Sequence, residues 1–139
     1  MKFGIIGSGS WATALAKILT DNGNAIQWLV RNDAMINYIT QRHHNPNYLN
    51  AVYFNTALLS LSTDIKTVVA ASDCIVIAVP SAYLMDTLAP LQKEHYAGKK
   101  IISAVKGMLP HNNLLLNDYL RNEFDMPVEN YFTVMGPCH

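Results

Sequence analysis

Apolar residues fall in short continuous runs, and between the runs the hydrophobic positions take up helical spacing. Phe3 to Ile6 is one such run, leading straight into Gly7-Ser8-Gly9-Ser10-Trp11-Ala12, after which Thr13 to Leu19 has the period of a helix. Asp21-Asn22-Gly23-Asn24 is a stop signal, and Ala25 to Val30 predicts a second strand. Asp33 is expected to cap a helix over about Ala34 to Arg42, with Ala34, Met35, Ile36, Tyr38 and Ile39 marking its packing face. Asn45-Pro46-Asn47 breaks that helix. Tyr48 to Leu61 has the weakest pattern and predicts a meandering loop with a short strand near Ala57 to Leu61. Asp64 to Ala71 reads as a short helix capped by Thr63 or Asp64.

Cys74 to Val79 is apolar at every position, the mark of a strand buried on both faces. A helix is predicted from Pro80-Ser81 through about Lys93, and a strand from Lys99 to Val105 that closes on Lys106-Gly107. A further helix, Leu114 to Glu123, and a last strand, Tyr131 to Met135, precede Gly136-Pro137-Cys138-His139. This alternation predicts an α/β fold, a doubly wound parallel sheet of the Rossmann type. In such sheets ligands bind outside the carboxyl ends of the strands. Ser8 to Ala12, Arg31, Pro80-Ser81, Lys106 and Gly136 are therefore expected around one crevice.

The first turn carries the sharpest chemistry. Strand, glycine-rich turn and helix follow one another as in a dinucleotide fingerprint: Gly7 for the tight turn, Gly9 for close approach of a pyrophosphate, and small Ala12 for packing of helix on strand. The free N–H groups of the helix's first turn, with the positive end of its dipole, would hold the phosphates. The ordinary alternative is a strand–helix turn with no ligand. At the tip of the second strand an acidic residue would suit the ribose hydroxyls of NAD, whereas Arg31 has the planar, permanently charged fork that suits a 2′-phosphate. NADP(H) is the favoured cofactor, with NAD(H) also admitted.

The chain has 139 residues, the size of about one domain. Ten basic and ten acidic residues cancel, and only 14% of residues are charged. That leaves no electrostatic footprint for nucleic acid or an anionic membrane, and little charge to oppose self-association into a homodimer. No apolar run reaches transmembrane length, and Phe3 to Ile6 is too short, and ends at a glycine, to suggest a signal peptide. Cys74 and Cys138 read as free thiols, which fits a reducing cytoplasm, with Cys74 a small core residue. His43 and His44 do not share a helical face and have no second ligand pair at metal spacing, so no metal site is expected.

Four motifs, Gly7-Ser8-Gly9-Ser10-Trp11-Ala12-Thr13-Ala14-Leu15-Ala16, Val79-Pro80-Ser81, Val105-Lys106-Gly107 and Gly136-Pro137, occur in the order and spacing of one family. Together they resemble the N-terminal cofactor domain of bacterial NAD(P)-dependent sn-glycerol-3-phosphate dehydrogenase. The resemblance implies interconversion of dihydroxyacetone phosphate and sn-glycerol 3-phosphate, a small phosphate substrate, in the service of glycerophospholipid synthesis. It also implies cofactor contacts at Ser10 and Trp11 and an NADPH contact at Arg31. Lys106 matches a lysine placed at both cofactor and substrate, where its cation would support catalysis. Gly136 and Cys138 match substrate contacts. Cys138 stands where Ser or Thr is usual, and a thiol is a weak hydrogen-bond partner. Ala12 replaces the family's usual glycine, and His139 stands where an aromatic residue is common.

The family's main proton-transfer lysine and much of its substrate site lie in a helical domain beyond residue 139. Gly136-Pro137 likewise reads as a turn into a crossover not contained here, so residues 1–139 are expected to be one NAD(P)-binding domain of a longer protein, inactive alone. The rival readings are a hydroxyacid or 6-phosphogluconate type of dehydrogenase, a methyltransferase, which Arg31 argues against, and a non-catalytic nucleotide-sensing module.

Overall fold

The computed structural model describes residues 2–44, 53–104 and 131–133, the last three by their backbone. Strand β1 (Phe3–Ile6) leads into helix α1 (Ser10–Asp21), β2 (Ile26–Leu29) into α2 (Asp33–Arg42), and a single 3-10 turn (Thr56–Leu58) into β3 (Leu59–Ser62). Helix α3 (Ile65–Ala70) and β4 (Cys74–Ile77) follow, then α4 (Ser81–Leu88), α5 (Lys93–Tyr96), β5 (Lys100–Ser103) and β6 (Tyr131–Thr133). All the pairings are parallel, in the order β3-β2-β1-β4-β5-β6. The predicted doubly wound sheet is therefore present, each strand within a few residues of its expected place. The expected sites at Lys106, Gly136 and Cys138, and the helix over Leu114 to Glu123, lie outside the described residues.

The apolar runs are continuous because both faces of the sheet are covered. Side chains alternate along each strand, so neighbours go to opposite faces. Ile5 and Val76 join Ala12, Ala16, Trp28 and Ile39 on the face covered by α1 and α2. Ile6, Ile75 and Ile77 join Val68, Leu84 and Leu88 on the face covered by α3 and α4. Cys74 is 2% exposed and free, and its thiol pKa is pushed up by burial, opposed by nearby Lys100 and reinforced by Asp73. It is a core residue, not a reactive one.

Two local expectations need correction. The helix from Ser81 does not run to Lys93 but stops at Leu88, and a separate turn of helix starts at Lys93. Pro90 is the reason: it has no N–H to donate, and its ring would collide with the preceding turn. Asp33 is not the N-cap of α2 but its first residue. Asn32 takes the cap, its side chain accepting from the Met35 N–H at 2.9 Å, and Asp33 adds its charge to the positive end of the helix. At α3 the cap is Asp64, which accepts from the Lys66 N–H at 3.2 Å.

Candidate functional site

Sheet order places the site. From β1 the chain crosses to β2 and β3 on one side, then returns to β4 and β5 on the other, so the crossovers part at the carboxyl ends of β1 and β4. Ile6 is in register with Leu29 on one side and Ile77 on the other. The next residues, Gly7, Val30 and Ala78, therefore emerge together at one edge. A crevice of about 590 Å³ opens there.

Its floor is the turn Gly7-Ser8-Gly9. Gly7 has φ 122°, a conformation that side chains rarely adopt, and a Cβ on it would meet the Ala78 carbonyl oxygen at 2.5 Å. The β4 backbone is thus pressed against this glycine. Trp28, fully buried on β2, pins the turn from the other side by donating its Nε1–H to the Gly7 carbonyl at 2.7 Å. Gly9 differs: a Cβ on it would meet nothing within 4 Å. The space over Gly9 lies open to an approaching group.

Gly9 is also the N-cap of α1, and having no side chain it supplies no cap hydrogen bond. The first turn of α1 carries no acidic residue. Its N–H groups and dipole are left for an anion from outside the chain. Ser10 and Trp11 stand in that turn. Trp11 packs on the α1 side of the core with its Nε1 buried and without a partner among the described residues, an unused donor that ordinarily costs about 1–3 kcal/mol. Ala12 is fully buried, where a larger residue would hold α1 off the sheet. An open glycine, an uncapped helix start and an orphaned donor together fit the pyrophosphate of a dinucleotide.

One wall of the crevice is the end of β2 with Leu29, Val30 and exposed Arg31. Arg31 forms no ion pair among the described residues. The other wall is Val79-Pro80 and the near face of α4, with Tyr83, Asp86 and Thr87. Pro80-Ser81 is expected at this crevice from the sequence, whereas Tyr83, Asp86 and Thr87 are not among the expected site residues. Their spacing of three and four residues puts them on one helix face opposite buried Leu84 and Leu88, which was the available signal. Of the residues expected around one crevice, Ser8, Gly9, Arg31 and Pro80 line it, together with Gly7, whereas Ser10, Trp11 and Ala12 stand behind it in α1 and are not part of its lining. No helix of the described residues is long and apolar enough to cross a membrane.

Sheet order and crevice define a nucleotide-binding domain of the dehydrogenase kind. The sequence pattern of a family described as NAD-dependent glycerol-3-phosphate dehydrogenase N-terminus matches residues 2–139, and the chain belongs to that family. It is 34% identical over 142 residues to the NAD(P)+ glycerol-3-phosphate dehydrogenase of Bacillus subtilis strain 168, covering 99% of this chain and 40% of that protein. It is 30% identical to the enzyme of the same name from Thermobifida fusca, covering 98% of this chain and 40% of that one. The chain thus spans about two fifths of the length of these relatives. Among solved structures, glycerol-3-phosphate dehydrogenase of Plasmodium falciparum superposes with a TM-score of 0.80 at 27% identity, over 91% of this chain and 39% of that one.

Proposed function

We propose that residues 1–139 are the NAD(P)-binding domain of a glycerol-3-phosphate dehydrogenase, which interconverts dihydroxyacetone phosphate and sn-glycerol 3-phosphate. The observation that carries the reading is the contrast between Gly7 and Gly9. The fold needs the first glycine, whereas the second faces only open space beside an uncapped helix start. A glycine with nothing packed on it is what close approach of a pyrophosphate requires.

In this reading Gly7, Gly9, Ser10, Trp11 and Ala12 shape or contact the pyrophosphate site, and Arg31 meets the 2′-phosphate of NADPH. Lys106 serves cofactor and substrate, while Gly136 and Cys138 contact the substrate. The bound nicotinamide supplies hydride chemistry, and the chain's own residues hold and orient it. The main proton-transfer lysine belongs to the substrate domain of the longer protein, so this chain alone binds cofactor without turnover. The same reading places the protein in the cytoplasm, as a homodimer, feeding glycerophospholipid synthesis. Its support there is the family, together with the zero net charge.

Isothermal titration of the chain with NADPH and NADH tests the cofactor half. Gly9→Val is expected to lower affinity for both cofactors at least about tenfold, by filling the space the pyrophosphate needs, while the domain stays folded with only the loss of about 1 kcal/mol that a poorer N-cap brings. Arg31→Ala is expected to lower NADPH affinity about tenfold or more, the worth of a charge-assisted contact, and to affect NADH far less. Unchanged NADPH affinity in Arg31→Ala would remove the 2′-phosphate contact. For the substrate, NADPH oxidation with dihydroxyacetone phosphate by the longer protein, lost in Lys106→Ala, is the expected result.

A further inference from the structure

Arg31 and Asp86 are the charged side chains among the described residues that line the crevice, and they stand on opposite walls. Arg31 follows β2, where the adenosine ribose of a dinucleotide lies in such sheets. Asp86 comes from α4, held facing the crevice because Leu84 and Leu88 fix the other face of the helix in the core. The two do not pair with each other, and Asp86 forms no ion pair among the described residues. Its carboxylate is exposed, and no cation among the described residues pairs with it. The crevice therefore holds both chemistries that choose a dinucleotide: a guanidinium that attracts a 2′-phosphate, and a carboxylate that repels one.

We propose that Asp86 is a specificity-determining residue that opposes the 2′-phosphate of NADPH and thereby offsets Arg31, so that the domain uses both NADPH and NADH. This rests on the cofactor reading given above. A 2′-phosphate adds close to two negative charges that NADH lacks; repulsion of the pyrophosphate common to both cofactors cancels in the ratio of their affinities, so in that ratio the carboxylate acts through the 2′-phosphate. The repulsion is electrostatic and passes partly through solvent, so it weakens as salt rises. Asp86 touches no reacting group. Its effect appears in cofactor choice rather than in the rate of the chemical step.

The test is titration of the chain with NADPH and with NADH, for wild type, Asp86→Asn and Asp86→Lys, at low and high salt. Asp86→Asn is expected to lower the ratio of dissociation constants, NADPH over NADH, by about fivefold at low salt, and Asp86→Lys by more. Both effects should shrink at high salt. Asp86→Glu, which keeps the charge, should restore the wild-type ratio. A ratio that Asp86→Asn and Asp86→Lys leave unmoved, while Arg31→Ala still moves it, overturns the inference and leaves the cofactor reading standing. A folded wild-type chain that binds neither cofactor overturns both.

Discussion

Replacing Gly7 with alanine is expected to destabilise the domain by about 3 kcal/mol or more and to abolish cofactor binding. Two costs of about 1–3 kcal/mol each combine: a side chain at φ 122°, and overlap of the new Cβ with a backbone carbonyl. The overlap cannot be relieved by a rotamer change, because the atoms met at 2.5 and 2.9 Å are the carbonyl oxygen and carbon of Ala78. Ala78 cannot easily retreat either. Its N–H is bonded to the Ile6 carbonyl at 2.9 Å, and the preceding residue accepts from the Ala104 N–H at 2.8 Å, so β4 is held between β1 and the chain leaving β5. Urea unfolding followed by circular dichroism measures the loss. Gly9→Ala is the control, with an expected cost of about 0.5–1 kcal/mol, since Gly9 has open space around it and loses only its preference as an N-cap. A Gly7→Ala domain as stable as the Gly9→Ala one would mean that the turn is not pressed against β4.

Trp28→Ala is expected to cost about 3–5 kcal/mol, the range for emptying a fully buried aromatic site. The indole lies in register with Ile5 and against Phe54, ring centroids 5.4 Å apart, so its loss opens a cavity between β2 and the segment after α2. Trp28→Phe separates packing from hydrogen bonding. It keeps most of the ring but removes the donor to the Gly7 carbonyl, for an expected cost of about 1–3 kcal/mol. The same variant leaves Trp11 as the single tryptophan, so its emission reports directly on the first turn of α1 when cofactor is added. If Trp28→Phe proved as stable as wild type, the bond to Gly7 would be no support for the turn.

Much of the architecture was legible in the residues because it depends on local pattern. Strands β1 and β4 showed themselves as continuous apolar runs, and even β3, which alternates Leu and Ser, lay within a residue or two of its expected place. Misplaced boundaries had local causes too. Pro90 ends the helix that had been extended to Lys93, and at Asn32-Asp33 two good capping residues stand side by side, a choice that backbone geometry alone settles in favour of Asn32. Within the weak stretch, Thr56–Leu58 forms a 3-10 turn capped by Asn55.

Period, capping and turn chemistry are properties of residues close in sequence, so the sequence by itself determined the alternating elements, the parallel doubly wound sheet and the strand–turn–helix at Gly7 to Ala12. Tertiary structure decided what each residue in those elements is for. Gly7 and Gly9 look alike in sequence. They differ because β4, some 70 residues further on, lies against one and leaves the other bare. Trp28 reads as a strand hydrophobe, and only the register of β2 on β1 brings its N–H to the glycine turn. Tyr83, Asp86 and Thr87 become a wall of the crevice only because the order β2-β1-β4 sets α4 across from Arg31. Those contacts follow from which strands pair, a choice made by the burial of two whole sheet faces together rather than by any one stretch of the chain.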